Sequence, residues 1–295
     1  MLRRTFVRYA AVSALSLALG ASSAFLSGCG GSGSGSEGSA DRGQQAAQAV
    51  QLQIFAANSL EKAMGEVQKL YTSQHPEVTF ADSQFKASGD LVEMLVAGAS
   101  ADILITASTG TMDDAESYIV PESKVTMFGN ELMLCAAENS KIKIDDLTDL
   151  RSKKIGKIAV GDPALVPAGK YANQSLYSAS STTGNLMYSA AEGEGGSYGG
   201  GIEDKIAVAD KVGTCATWTA NGSVDVGFIY SSDLYRYKGI KNIYTVPEEL
   251  HKVIIYPGAV ISDSKYQDEA KAFLKFCMTD SDALKIWQEN GFELK

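Results

Sequence analysis

The stretch Phe55-Ala56-Ala57-Asn58-Ser59-Leu60 decides how the chain is read. Leu52 to Ala56 is a short apolar run of strand character. From Leu60 onward the apolar residues fall at helical spacing, with Leu60, Ala63, Met64, Val67, Leu70 and Tyr71 on one face. Ser59 therefore stands at the handover, at or beside a helix N-cap. A second stretch, Ala87-Ser88-Gly89-Asp90-Leu91, repeats the arrangement ahead of Leu91, Met94 and Leu95. An ordinary cap explains any one such serine. The alternative is that each helix start turns its free N–H groups and positive dipole end toward a bound anion. Partners elsewhere in the chain decide between the two.

Strands and helices alternate beyond these stretches, which predicts an α/β fold with mostly parallel sheets. Strand-like runs lie at Val78–Phe80, Asp102–Thr106, Glu131–Ala137, Ile155–Val160, Val224–Tyr230 and Val253–Ile261. Helical spacing marks Leu60–Gln74, Leu91–Gly98, Thr111–Tyr118, Lys265–Met278 and Ala283–Glu289. Two further helix starts share the character of the first two. Pro167-Ala168-Gly169-Lys170 opens a helix with Pro at the favoured early position and presents the Ala168 N–H. Asp210-Lys211-Val212-Gly213, with Asp210 as cap, presents the Val212 N–H. The strand end Gly227-Phe228-Ile229-Tyr230 can aim a phenol at the same point, since ligands of open α/β sheets bind at the carboxyl ends of strands. Ser178 to Gly201 breaks the rhythm with many Gly, Ser and Thr residues. It reads as a long surface insertion, mobile or serving as a lid.

Composition narrows the classes. The 295 residues suffice for one or two domains, and 45% hydrophobic with 21% charged residues is ordinary for a globular protein. Net charge is −9, and −12 once the segment carrying Arg3, Arg4 and Arg8 is set aside. No basic stripe suits a nucleic acid, and an anion site in such a chain has to work through local dipoles. Residues 1–28 have the form of an export signal: a basic n-region, an apolar run Ala10–Leu19 too short to span a bilayer, then Leu26-Ser27-Gly28-Cys29. That tetrapeptide resembles the lipobox of bacterial lipoproteins, in which the Cys becomes the acylated first residue. Arg3-Arg4-Thr5-Phe6-Val7-Arg8 also resembles a twin-arginine signal. Either route puts the mature chain outside the cytoplasm, anchored to the membrane by lipid on Cys29. Residues 29–50 follow as a Gly/Ser-rich tether. Cys135, Cys215 and Cys277 remain, an odd number in apolar surroundings, and read as buried small hydrophobes.

From about Gln51 to Lys295 the chain resembles the periplasmic molybdate-binding proteins of ABC importers. The likeness rests on Phe55-Ala56-Ala57-Asn58-Ser59-Leu60, Ala97-Gly98-Ala99-Ser100-Ala101-Asp102, Val160-Gly161-Asp162-Pro163 with Val166-Pro167-Ala168-Gly169, Gly227-Phe228-Ile229-Tyr230-Ser231-Ser232-Asp233, and the ending Gly291-Phe292. The resemblance implies a two-lobed clamp of the periplasmic-binding-protein type, type II-like. Lobe one would be 51–130 plus 256–295 and lobe two 131–255, with Glu131–Ala137 and Val253–Ile261 as the hinge crossovers. It implies an oxyanion held by Ser59, Ser88, Ala168, Val212 and Tyr230, with no cofactor, no metal beyond that of the oxyanion, no catalytic residue, and a monomer serving a permease and its ATPase. The chain departs from the family at Asn58, where a small residue is frequent, at Gly89, where a further hydroxyl is common, and in the length between Ala168 and Val212.

Chemistry agrees with that resemblance. Molybdate and tungstate are tetrahedral dianions that only accept hydrogen bonds, so hydroxyls, helix-start N–H groups and a phenol suit them. Rival readings keep the clamp for sulfate, phosphate or ferric ion, the last through Tyr171, Tyr177, Tyr188 and Tyr198. A remote one takes Ser59-Leu60-Glu61-Lys62 as the S-x-x-K of a serine acyl enzyme, although S-D-N and K-T-G companions are absent.

Overall fold

The computed structural model describes residues 49–295. The expected signal peptide, the expected lipidation site Cys29 and nearly all of the expected tether lie outside them. The tether was expected to run through Val50, but that residue is buried and opens a strand paired with Val78.

Chain order alternates as the sequence suggests. It runs β1 (Val50–Leu52), β2 (Ile54–Ala57), α1 (Glu61–Gln74), β3 (Val78–Phe80), β4 (Gln84–Lys86), α2 (Ser88–Val96), β5 (Ile103–Ile105), α3 (Thr109–Asp114), β6 (Val125–Gly129). A second group follows: β7 (Leu132–Ala137), β8 (Ile158–Gly161), α4 (Pro167–Ser181), β9 (Ile206–Ala209), α5 (Val212–Ala220), β10 (Val226–Tyr230), α6 (Asp233–Arg236), β11 (Ile240–Thr245). The chain closes with β12 (Ile255–Val260), α7 (Gln267–Thr279), α8 (Ser281–Glu289) and β13 (Glu293–Leu294).

Two sheets carry the two lobes. One has the order β13-β6-β12-β5-β2-β4 and the other β11-β7-β10-β8-β9. The sheets are mixed rather than mostly parallel. Each has a parallel half, β5-β2-β4 and β10-β8-β9, flanked by antiparallel strands. The parallel halves need helical crossovers, and their inner strands β2, β5, β8 and β10 are buried on both faces, which explains their continuous apolar runs. In β2 and β5 the side chains alternate between two cores. Ile54, Ala56, Ile103 and Ile105 face the main core, whereas Phe55 and Leu104 pack with Leu91, Leu95 and Met112 under α2 and α3. Trp287 and Phe292 close the C-terminal end over Phe128 at 4.2 and 5.9 Å between ring centroids.

The hinge differs from the expectation. The stretches Glu131–Ala137 and Val253–Ile261 contain β7 and β12, and each strand sits wholly in one sheet. The chain passes between sheets at Asn130-Glu131 and again over residues 246–254. Central strands must be apolar because both faces are buried. A crossing between lobes has no such requirement, so apolarity pointed to the wrong residues.

The Gly-rich insertion is packed, not a cover over the cleft. Met187 and Tyr188 are buried. The Asn173 amide donates to the Gly193 carbonyl at 3.0 Å, and Gln174 donates to the Glu192 carbonyl at 3.0 Å. Gly193 has φ +81°, and a Cβ there would lie 2.1 Å from the Lys170 carbonyl oxygen. The insertion thus braces the outer face of α4.

The start of α4 is held equally closely on its other side. A Cβ on Gly169 would stand 1.9 Å from the Gly161 carbonyl oxygen at the end of β8. Gly169→Ala is expected to cost about 1–3 kcal/mol through forced displacement, lowering Tm by roughly 2–12 °C. Gly110→Ala, where nothing lies within 4 Å, should leave Tm unchanged or raise it. Thermal unfolding followed by circular dichroism checks both.

Candidate functional site

The parallel strands of the two large sheets converge with their carboxyl ends on one cleft between the sheets. β2 runs into a short 3-10 turn, Asn58–Leu60, which leads into α1. β4 runs into α2, β8 into the loop ahead of α4, β9 into α5, and β10 ends at Tyr230. The five residues singled out from the sequence, Ser59, Ser88, Ala168, Val212 and Tyr230, line a single cavity there. Ala57, Asn58, Lys86, Ala87, Ala107, Val166 and Pro167 complete its wall. Lys86 is an exposed cation that sequence reading passed over, and no carboxylate belongs to the wall. The centre of a water-sized sphere has only about 10 Å³ in which to move, so the space suits one compact body.

The hydroxyls are not spent on capping. No side chain caps the 3-10 turn, α1, α2, α4 or α5. The α5 cap is Lys211, not Asp210 as expected, and the Asp210 carboxylate instead accepts from Thr214 at 2.5 Å. First-turn N–H groups of a helix have no carbonyl one turn behind them. Those of Ala168 and Val212 are therefore available at the cavity, where the aligned peptide dipoles favour negative charge. Ser88 Oγ accepts the Ala107 N–H at 3.1 Å, and Ser59 Oγ lies 2.9 Å from Tyr256 Oη. Tyr230 Oη is buried with no hydrogen-bond partner. Burial pushes the Tyr230 phenol well above its ordinary pKa, so it keeps its proton. An unpaired buried hydroxyl is costly, and an acceptor at the cavity centre would satisfy it.

The lobes meet around this cavity. Asn58 Oδ1 accepts the Gly213 N–H of α5 at 3.2 Å. The Gly89 N–H donates across to the Leu165 carbonyl at 2.9 Å. The departures from the family pattern at Asn58 and Gly89 thus sit at the seam. A Cβ on Gly89 would approach Leu165 Cα to 2.8 Å, and one on Gly213 would approach Tyr237 Oη to 2.1 Å. Arg236 reaches from α6 to Glu61 of α1 at 2.6 Å while holding Asp233 at 2.9 Å. Asp233 is fully buried and also accepts the Tyr230 backbone N–H at 3.1 Å. Burial raises its carboxyl pKa, and Arg236 with that N–H pull it back.

Other features flagged in the sequence lie apart. Lys62 is exposed while Ser59 is buried against Tyr256, so the S-x-x-K spacing does not bring amine to hydroxyl. Tyr171, Tyr177, Tyr188 and Tyr198 are absent from the residues that line the cavity. Among the described residues no group of His, Cys, Asp and Glu is arranged to hold a metal ion. Cys135, Cys215 and Cys277 are buried and unbridged. Among the described residues no helix is long and apolar enough to cross a membrane.

Arg236→Met is expected to destabilise the fold by about 3–5 kcal/mol, because it strands the Asp233 carboxylate. In that variant Asp233 has a folded pKa raised further above its unfolded value. The folded state then binds the extra proton, so the deficit should shrink as pH falls from neutrality through that raised pKa. Denaturant unfolding at stepped pH measures it.

Comparison with known proteins places this architecture. The model of the bacterial extracellular solute-binding protein family matches residues 52–293. The molybdate-binding protein ModA of Escherichia coli is 30% identical over 248 residues, covering 82% of this chain and 88% of that protein. ModA of Haemophilus influenzae is 29% identical over 249 residues, covering 82% and 89%. The solved periplasmic molybdate-binding protein of Azotobacter vinelandii superposes with a TM-score of 0.66 over 83% of this chain and 99% of that one, at 18% identity, a likeness of fold. With two mixed sheets, a cleft at their parallel strand ends and a family match across nearly all described residues, the chain belongs to the bacterial extracellular solute-binding proteins.

Proposed function

We propose that this protein captures molybdate or tungstate in the cleft and delivers it to an ABC importer. One observation carries the reading: the cavity is lined by hydrogen-bond donors from both lobes, with the Lys86 ammonium as its charged side chain and, among the described residues, no carboxylate. An acceptor-only dianion suits a wall of such donors. Monohydrogen phosphate would bring an O–H with no designed acceptor, at a cost of roughly 1–3 kcal/mol. The narrow space disfavours organic phosphates, and the named molybdate-binding relatives support the choice of ion.

Ser59 and Ser88 donate from one lobe, and Ala168, Val212 and Tyr230 from the other. The lobes, 51–130 with 256–295 and 131–255, close about Asn130-Glu131 and residues 246–254. Because only closure gathers all five donors, the ion stabilises the closed form. The permease and its ATPase are the partners, the protein acts as a monomer, and the lipobox cysteine Cys29 carries the anchor.

Calorimetry with molybdate, tungstate, sulfate, phosphate and ferric citrate tests the reading. Tight binding of the first two alone is expected, and no binding of either overturns it. Ser59→Ala and Ser88→Ala should each weaken molybdate by roughly 1–3 kcal/mol. Unchanged affinity in both would mean that the hydroxyls do not donate to the ion.

A further inference from the structure

We propose that Asn130 and Tyr256 are positioning residues: a hydrogen-bond relay from the Asn130 amide through the Tyr256 phenol fixes the Ser59 hydroxyl as a donor into the cavity. The proposal rests on the anion-binding reading above. It starts from an atom whose role is unambiguous. The Glu131 backbone N–H can only donate, and it lies 3.0 Å from Asn130 Oδ1. That end of the amide is therefore the oxygen, and it also accepts from Ser231 Oγ at 2.7 Å. The amide nitrogen must face the other way, toward Tyr256 Oη at 3.1 Å and Ser232 Oγ at 3.0 Å.

Direction then propagates. Tyr256 is fully buried and its oxygen already accepts from Asn130. Its own hydrogen needs a partner, and Ser59 Oγ at 2.9 Å is the one within reach. Burial drives the phenol pKa up, which keeps that hydrogen in place. Ser59 Oγ accepts, so its hydrogen is left for the cavity. The Ala107 N–H does the same service for Ser88. Both serines thus present hydrogens, and rejection of a protonated oxyanion depends on groups that do not themselves donate to it.

The chain around Tyr256 is built to hold this aim. Pro257 has no N–H to give the ladder, and the register of β12 against β6 shifts between Tyr256 and Pro257. Phe292 packs edge-on against the Tyr256 ring at 5.6 Å.

Asn130→Asp reverses the relay without changing its shape. An aspartate still accepts from Glu131 and Ser231. It also takes the Tyr256 O–H, whereupon Tyr256 Oη accepts the Ser59 O–H and Ser59 turns a lone pair to the cavity. Tyr256→Phe removes the relay and keeps the ring. Calorimetry, with competition where binding is weak, compares molybdate and sulfate with inorganic phosphate in mildly alkaline buffer. There phosphate is chiefly the monohydrogen dianion, so a new carboxylate repels every ion alike and the affinity ratio isolates hydrogen-bond direction. The preference for molybdate over phosphate is expected to fall about tenfold in Asn130→Asp and to fall in Tyr256→Phe. Tyr256→Phe should have no further effect on the ratio in a Ser59→Ala background. Folded variants with an unchanged ratio overturn the relay, and if Asn130→Asp does not fold, Tyr256→Phe decides alone. If the wild-type protein binds sulfate and not molybdate, the molybdate reading falls and the ratio is taken with sulfate. A wild-type protein that binds neither overturns both.

Discussion

A double negative charge loses a great deal of hydration when it leaves water, and a chain of net charge −9 offers it no general attraction. For the proposed ligand that burial has to be offset locally, and much of the architecture suits that need. Helix starts supply N–H groups and partial positive charge without a titratable group. Placing them within one small volume requires parallel strands whose carboxyl ends face each other, hence the parallel half of each sheet. It also requires backbone to approach backbone closely. Gly161 and Gly169 let the end of β8 and the start of α4 touch, and Gly89 lets α2 meet Leu165 across the seam. Side chains at these points would separate the donors by more than a hydrogen bond spans.

The lack of a carboxylate in the wall has a second consequence. Asp233 and Arg236 lie just behind Tyr230, and there the protein does bury an ion pair. The carboxylate spends its lone pairs on Arg236 and the Tyr230 backbone, so its charge is answered before it reaches the cleft. Arg236 in turn spans to Glu61, which follows the Ser59 turn by a single residue beyond Leu60. The pair fastens the two halves of the site from outside, while Asn58 and Gly89 fasten them from inside.

What could be read from the sequence was local. Strand-to-helix handovers at Ser59, Ser88, Ala168 and Val212 are visible because apolar period and turn chemistry change within a few residues, and their common end of the sheets follows from α/β topology. Asn130 and Tyr256 were invisible for the opposite reason. Their contacts join residues 126 and 197 positions apart, and within the sequence they look like a strand boundary and one more apolar strand position. The Gly-rich segment misled because glycine count alone suggests a loose loop. In the structure Gly193 and Gly200 use positive φ to fold the segment tightly against its neighbours.

The crossing at Asn130-Glu131 shows why the hinge is polar. A crossing strand would commit its backbone to one ladder or the other. Asn130 is in neither sheet, yet its amide satisfies the Glu131 N–H, Ser231, Ser232 and Tyr256 together. Two of those partners come from the segment after β10 and one from β12, so the amide is satisfied fully only when both lobes are in register around it. An apolar residue there would remove the acceptor of the Glu131 N–H and leave the buried Tyr256 phenol with Ser59 as its one remaining partner, and a buried polar group robbed of a partner costs about 1–3 kcal/mol. Polar continuity through the crossing therefore ties the orientation of a hydroxyl in the cleft to the relative placement of the lobes, which no apolar hinge could do.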